Sequence, residues 1–234
     1  MTRNYLKQLL SGRDIAVRNP AALQMVNFSY LIGDLDAGVC VAVDPSWGPE
    51  ELVALATADG LRLVGVLATH HHADHVGGDL WGYKVPGVAE LLRRAPVPVH
   101  VHRLDAGALL AGTRIPRDSV VAHEDGDTLE VGGLRVRVLH TPGHTPGSSC
   151  FIVEDCIFTG DTLFIEGCGR VDLPGGDSSE MSRSLGERIA ALPGSLVVLP
   201  GHEYGGDRAT LDHVRRVNPA LRTRDRARWE RENF

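Results

Sequence analysis

The stretch "LVGVLATHHHADHVGG" (63–78) constrains this chain more than any other. An apolar, strand-like run breaks directly into four histidines and an aspartate within six positions, His70 to His75. Histidines at i and i+2 of extended backbone point the same way, so His70 and His72 can face one ion while His71 points off. The "ADHVGG" that follows leads toward a helix and places Asp74 and His75 at its start, aimed differently from the first pair. One ion takes about four protein ligands. The loop therefore reads as parts of two neighbouring sites.

Three other segments supply the remaining ligands. "TPGHTPGS" (141–148) carries His144, "FTGDTLF" (158–164) carries Asp161, and "LPGHEYGG" (199–206) carries His202. Each lies where an apolar strand runs out into a Gly/Pro loop, the usual place for a functional side chain. With Asp161 bridging through its two oxygens, the first site is His70, His72, His144 and Asp161. The second is Asp74, His75, His202 and Asp161. Nitrogen and carboxylate donors without thiolate suit two divalent ions, zinc first, with iron or manganese as alternatives. His100, His102, His123 and His213 have no such support and read as core or surface histidines. His140, just before "TPGH", reads as a second-layer contact that holds a ligand by its free ring nitrogen.

Strand-like runs at 26–33, 39–44, 63–69, 97–102, 134–140, 149–154, 156–161 and 195–200 alternate with helical patterns. "GPEELVALATADG" has Pro49 at a first helical position and Gly60 as a stop. "DSSEMSRSLGERIAALPG" has Asp177 three before Glu180, a capping-box spacing, and then a stripe of Met181, Leu185, Ile189 and Leu192. Pro219 should end the last helix. "YLIGDLDAGVCVAVDP" and "CFIVEDCIFTGDT" echo each other as strand–turn–strand units ending on Asp44 and Asp161. Strands followed by helices, twice over, imply an α/β chain with two sheets face to face and helices outside. With no Ser/Gly/Pro-rich linker, 1–234 reads as one domain, its core about 24–218, followed by a charged tail, 219–234.

The formal net charge of -6 gives no reason to expect nucleic acid or an acidic membrane as partner. No apolar run reaches the roughly 18 residues of a membrane span, and no secretory leader pattern opens the chain, so a cytoplasmic protein with a small-molecule substrate is expected. Cys40, Cys150, Cys156 and Cys168 form no C-x-x-C pair and read as free thiols.

"VDP", "THHHADHVGG", "TPGHTPGS", "TGDTLF" and "GHEY", in that order from about Asn27 to Asn218, resemble the metallo-β-lactamase superfamily. The resemblance implies the metallo-β-lactamase fold, a four-layer αββα sandwich with its metal site at one edge of the sheets. "GDTLFIEGCGRVDL" is similar to the branch containing glyoxalase II (hydroxyacylglutathione hydrolase) and the persulfide dioxygenases. On the first likeness, two metals activate a hydroxide that cleaves an acylglutathione-like thioester or ester, Asp74 orients or relays the proton, and Arg170 and Tyr204 bind substrate. On the second, one iron is held by His70, His144 and Asp161. A lactonase or other ester hydrolase fits the same ligands. The interval from His75 to His144 is longer than in those relatives. Its insert (81–112), amphipathic through Val88, Leu91 and Leu92, reads as a lid, a homodimer contact or a surface helix.

Overall fold

The strand-like runs assemble into two six-stranded sheets. The structure is a computed structural model that describes residues 3–222. In chain order the first half supplies β1 (Asn4–Leu10), α1 (Pro20–Met25), β2 (Phe28–Asp34), β3 (Val39–Val43), α2 (Pro49–Ala58), β4 (Arg62–Leu67) and α3 (Ala73–Val76). It continues with a hairpin of β5 (Gly78–Leu80) and β6 (Tyr83–Val85), then α4 (Val88–Arg94), β7 (Val99–His102), α5 (Arg103–Thr113) and β8 (Val120–His123). The second half supplies β9 (Thr128–Val131), β10 (Leu134–His140), β11 (Ser149–Val153), β12 (Cys156–Gly160) and α6 (Ser178–Arg183). After α6 the helix widens to π geometry over Ser184–Ile189, and β13 (Val197–Pro200), β14 (Ala209–Thr210), α7 (Leu211–Val217) and α8 (Pro219–Arg222) follow.

The first sheet has the order β1-β2-β3-β4-β7-β8 and the second β14-β13-β12-β11-β10-β9. The echo in the sequence is a repeat of topology. β2 and β3 form an antiparallel hairpin and β4 joins β3 in parallel; β11 and β12 do the same, with β13 parallel to β12.

Three apolar layers hold the sheets and helices together. Between the sheets, Phe28, Tyr30, Val41 and Val43 meet Val136, Val138, Phe151 and Phe158. Outside the first sheet, Leu52 of α2, Leu91 of α4 and Leu109 of α5 cover Cys40, Ala42 and Val66. Outside the second, Met181, Leu185, Ile189, Leu211 and Val214 cover Cys150, Ile157 and Val198. Alternation along each strand sends successive side chains to opposite layers, which is why both faces of each sheet are apolar. The result is the expected αββα sandwich.

Local signals act where the chemistry demands. Pro49 occupies the first turn of α2. Asp177 caps α6 by accepting from Ser179 N (2.8 Å) and Glu180 N (3.0 Å), while Glu180 itself reaches forward to Arg183 at 2.8 Å. α7 ends at Val217, and Pro219 opens α8. The rest of the charged tail, 223–234, lies outside the described residues. Of the readings open for the insert, a lid, a homodimer contact or a surface helix, α4 fits the surface helix. Val88 and Leu91 are fully buried in the layer outside the first sheet, while Arg93 and Arg94 on the other face of α4 are exposed, and the β5–β6 hairpin before it also stands at the surface. No helix among the described residues is long and apolar enough to cross a membrane.

Candidate metal centre

The loops that leave β4, β10, β12 and β13 converge, and they carry all seven candidate ligands. His70 and His72 follow β4, with ring centroids 4.8 Å apart, and the His144 ring lies 4.8 and 4.6 Å from them. One donor atom from each of these three histidines falls within 4.8 Å of the others. Asp161 Oδ2 sits 3.5 Å from His144 Nε2. On the other side, Asp74 and His75 in the single turn of α3 meet His202 after β13. His71 turns away: its Nδ1 lies 2.9 Å from Asp105 Oδ2.

The second cluster has the dimensions of a coordination shell. A tetrahedral ion with bonds of about 2.0–2.1 Å separates its donors by about 3.3–3.4 Å. His75 Nε2 lies 3.2 Å from His202 Nε2, 3.4 Å from Asp74 Oδ2 and 3.2 Å from Asp161 Oδ1. His202 Nε2 lies 3.4 Å from Asp74 Oδ2 and 3.5 Å from Asp161 Oδ1. Asp161 thus turns one oxygen toward each cluster. Among the described residues, His70 Nε2, His144 Nε2 and Asp161 Oδ1 are buried atoms without a hydrogen-bond partner. Buried polar atoms are costly to leave unpaired, and a cation between them removes that cost. The donor set fits a metal.

Other groups aim these rings. Asp44 Oδ1 accepts Thr69 N (2.8 Å), and its Oδ2 accepts Thr69 Oγ1 (2.6 Å) and lies 2.9 Å from His75 Nδ1. Asp44 falls close to His70 and His75, but with its oxygens so engaged it orients ligands instead of joining them. His144 Nδ1 donates to the Arg170 carbonyl and His202 Nδ1 to the Met25 carbonyl, each at 2.7 Å. Asn27, its Oδ1 taken by Trp47 Nε1 at 2.9 Å, turns Nδ2 to Asp74 Oδ2 at 3.1 Å. Gly169 lies so close that a Cβ there would stand 2.3 Å from the Asp161 carbonyl and 2.8 Å from His144 Nδ1. His140 does not hold a ligand ring as expected. Its Nε2 donates to the Pro146 carbonyl at 2.9 Å and its ring stacks on His102 at 3.8 Å.

The electrostatics favour a positive charge in the second cluster. Burial alone would raise Asp74 and Asp161, yet the histidines beside them hold both carboxyls well below the usual range. Burial would lower His75, but Asp161 and Asp74 outweigh it and raise the ring well above its ordinary value. In the first cluster burial dominates, pushing His70 well down and His72 to about 4, so these imidazoles are neutral and ready to ligate.

A cleft of about 590 Å³ opens over both clusters. Phe164, Glu166, Cys168, Arg170, Leu173 and Tyr204 line one wall, and Leu80 and Trp81 of the hairpin line the other. The Tyr204 ring lies parallel to His202, with centroids 5.0 Å apart. The Arg170 guanidinium makes paired bonds of 2.9 and 2.8 Å to Asp172 and remains largely exposed. Burial, then the Asp161 carboxylate, push the Cys168 thiol up to about 12.

The sequence pattern of the Metallo-beta-lactamase superfamily matches residues 24–202. The chain belongs to this superfamily. Among superfamily members, mitochondrial persulfide dioxygenase ETHE1 of Homo sapiens is 32% identical over 220 residues, covering 90% of this chain and 78% of that one. The hydroxyacylglutathione hydrolase of Gloeobacter violaceus is 40% identical over 181 residues, covering 76% of this chain and 64% of that one. The crystal structure of ETHE1 from Myxococcus xanthus superposes with a TM-score of 0.77 at 28% identity, covering 98% of this chain and 92% of that one. Membership makes this a metal-binding enzyme fold, in agreement with the clustered donors. Sequence reasoning on this superfamily member overlooked Asn27, Asp105 and the orienting role of Asp44. Asp44 alone had a visible signal, the "VDP" that ends its strand–turn–strand unit.

Proposed function

We propose that this chain is a persulfide dioxygenase, oxidising the terminal sulfur of a low-molecular-weight persulfide at one iron held by His70, His144 and Asp161. The observation that carries this reading is likeness to persulfide dioxygenases over most of both chains, 90% of this chain and 78% of the human protein. The hydroxyacylglutathione hydrolase is matched over only 64% of its length. Two imidazoles and a carboxylate are the donors expected of a non-haem iron that binds oxygen and substrate at its open positions. The chain's own side chains do the rest. The Thr69 hydroxyl, itself held by Asp44, lies 3.0 Å from His70 Nδ1, and the Arg170 carbonyl holds His144, so both imidazoles are fixed. Phe164, Leu80 and Trp81 exclude water from the sulfur, and Arg170 and Tyr204 hold the polar tail of the thiol.

A specific observation supports a second reading, a two-metal thioester hydrolase. The donors of the second cluster are spaced 3.2–3.5 Å apart, as a tetrahedral ion needs. In that case Asp74 faces the attacking water, orienting it and relaying its proton toward the leaving thiolate, and zinc is the expected metal. Oxygen-electrode assays of the iron-loaded protein with glutathione persulfide separate the two. The dioxygenase reading predicts oxygen consumption that stops when iron is removed. Zinc-dependent cleavage of an acylglutathione thioester without oxygen uptake would contradict it, and a lactone panel tests the remaining ester hydrolases.

A further inference from the structure

Asp105 stands in the first turn of α5, inside the insert, with no part of its side chain exposed. Its Oδ2 accepts the backbone N–H of His71 at 3.0 Å and the Thr145 hydroxyl at 2.7 Å, and lies 2.9 Å from His71 Nδ1. Its Oδ1 accepts Gly147 N–H at 2.6 Å. His71 is the residue between His70 and His72, and Thr145 is the residue after His144. One carboxylate is therefore bonded to an immediate neighbour of every histidine in the first cluster. Ser148 fixes Thr145 further, 2.8 Å from its hydroxyl and 3.0 Å from its N–H. A Cβ at position 147 would come within 2.5 Å of Asp105 Oδ1, so only glycine lets this loop close on the carboxylate. Bonds to an ionised acceptor are about twice as strong as neutral ones, and burial keeps water from competing for them.

We propose that Asp105 is a positioning residue. It clamps the 70–72 loop to the 144–147 loop so that His70 and His144 converge on one ion with His72 beside them, and supplying this carboxylate is a task of α5. The inference rests on the metal-centre reading above. It differs from the usual second-layer contact to a ligand ring, because Asp105 reaches the ligands through the backbone and side chains of their neighbours.

The test is a cobalt(II) titration of metal-free protein, followed by visible absorption and by chelator competition. Asp105→Ala is expected to bind cobalt at the first cluster about 10–100-fold more weakly, with altered absorption bands. His71→Ala, which keeps its backbone N–H on Asp105, is expected to stay within a small factor of the parent. A purely structural role would lower the melting temperature of Asp105→Ala and leave cobalt affinity and bands unchanged; that result overturns the clamp. If Asp105→Ala fails to fold, Thr145→Val decides: it removes one bond at nearly constant volume, and unchanged affinity there is equally fatal. A parent protein that takes up no cobalt defeats the metal-centre reading itself, and the clamp with it.

Discussion

Trp81 holds a backbone conformation that L side chains rarely adopt, with φ of +52°, and Gly82 follows at +87°. These two residues join Leu80 to Tyr83 across the β5–β6 hairpin, a two-residue turn that normally favours Asn-Gly. A bulky aromatic there costs about 1–2 kcal/mol, and it stands 81% exposed at the mouth of the cleft. Strain at such a place points to function. Trp81→Asn is expected to stabilise the fold by about 1 kcal/mol, or about 2–4 °C in Tm, while raising KM because the cleft loses its rim. A lower Tm in calorimetry would show that the ring serves the fold instead, and an unchanged KM would show that it has no part in binding. At this scale the spacing of the sequence was informative. His70, His72, Asp74 and His75 share one loop because alternation and a following helix turn require it. Asn27 and Asp105 were illegible, since a lone polar residue has no period and its partners lie 47 and 34 positions away.

Elements were legible in proportion to how fully they are buried. β2, β3 and β11 are almost wholly buried and read directly as apolar runs. β1, "NYLKQLL", escaped notice because it is an edge strand whose Lys7 and Gln8 interrupt the pattern. β8 and β9 are edges too, and their exposed residues blur the alternation. The role of α4 stayed open in the sequence for the opposite reason: its amphipathic face looks the same whether it covers a core or a cleft. The pairing of β7 with β8 carries its own prediction. It brings His100 Nδ1 within 2.8 Å of His123 Nε2, and burial, followed by His123, pushes His100 down to about 4. An unfolded histidine titrates near ~6.5, so between these values the folded chain binds fewer protons than the unfolded one. The contribution is complete above about pH 6.5 and is lost as pH falls toward 4. Urea denaturation should show His100→Gln losing less stability than the parent across that window. Equal slopes would mean His100 titrates normally.

At the scale of the whole molecule, two halves of like topology each deliver one aspartate to the edge where the sheets meet. Asp44 ends β3's side of the repeat and steers His75; Asp161 ends β12's side and turns an oxygen to each cluster. The αββα layering is what brings loops from positions 70, 144, 161 and 202 to one place, and the cleft above them is lined from both halves. Metal content is the most direct test of this account. Protein purified without chelators is predicted to carry one iron per chain, retained in His202→Ala and lost in both His144→Ala and Asp161→Ala. Two zinc ions per chain, or loss of metal from His202→Ala as complete as from His144→Ala, would contradict it.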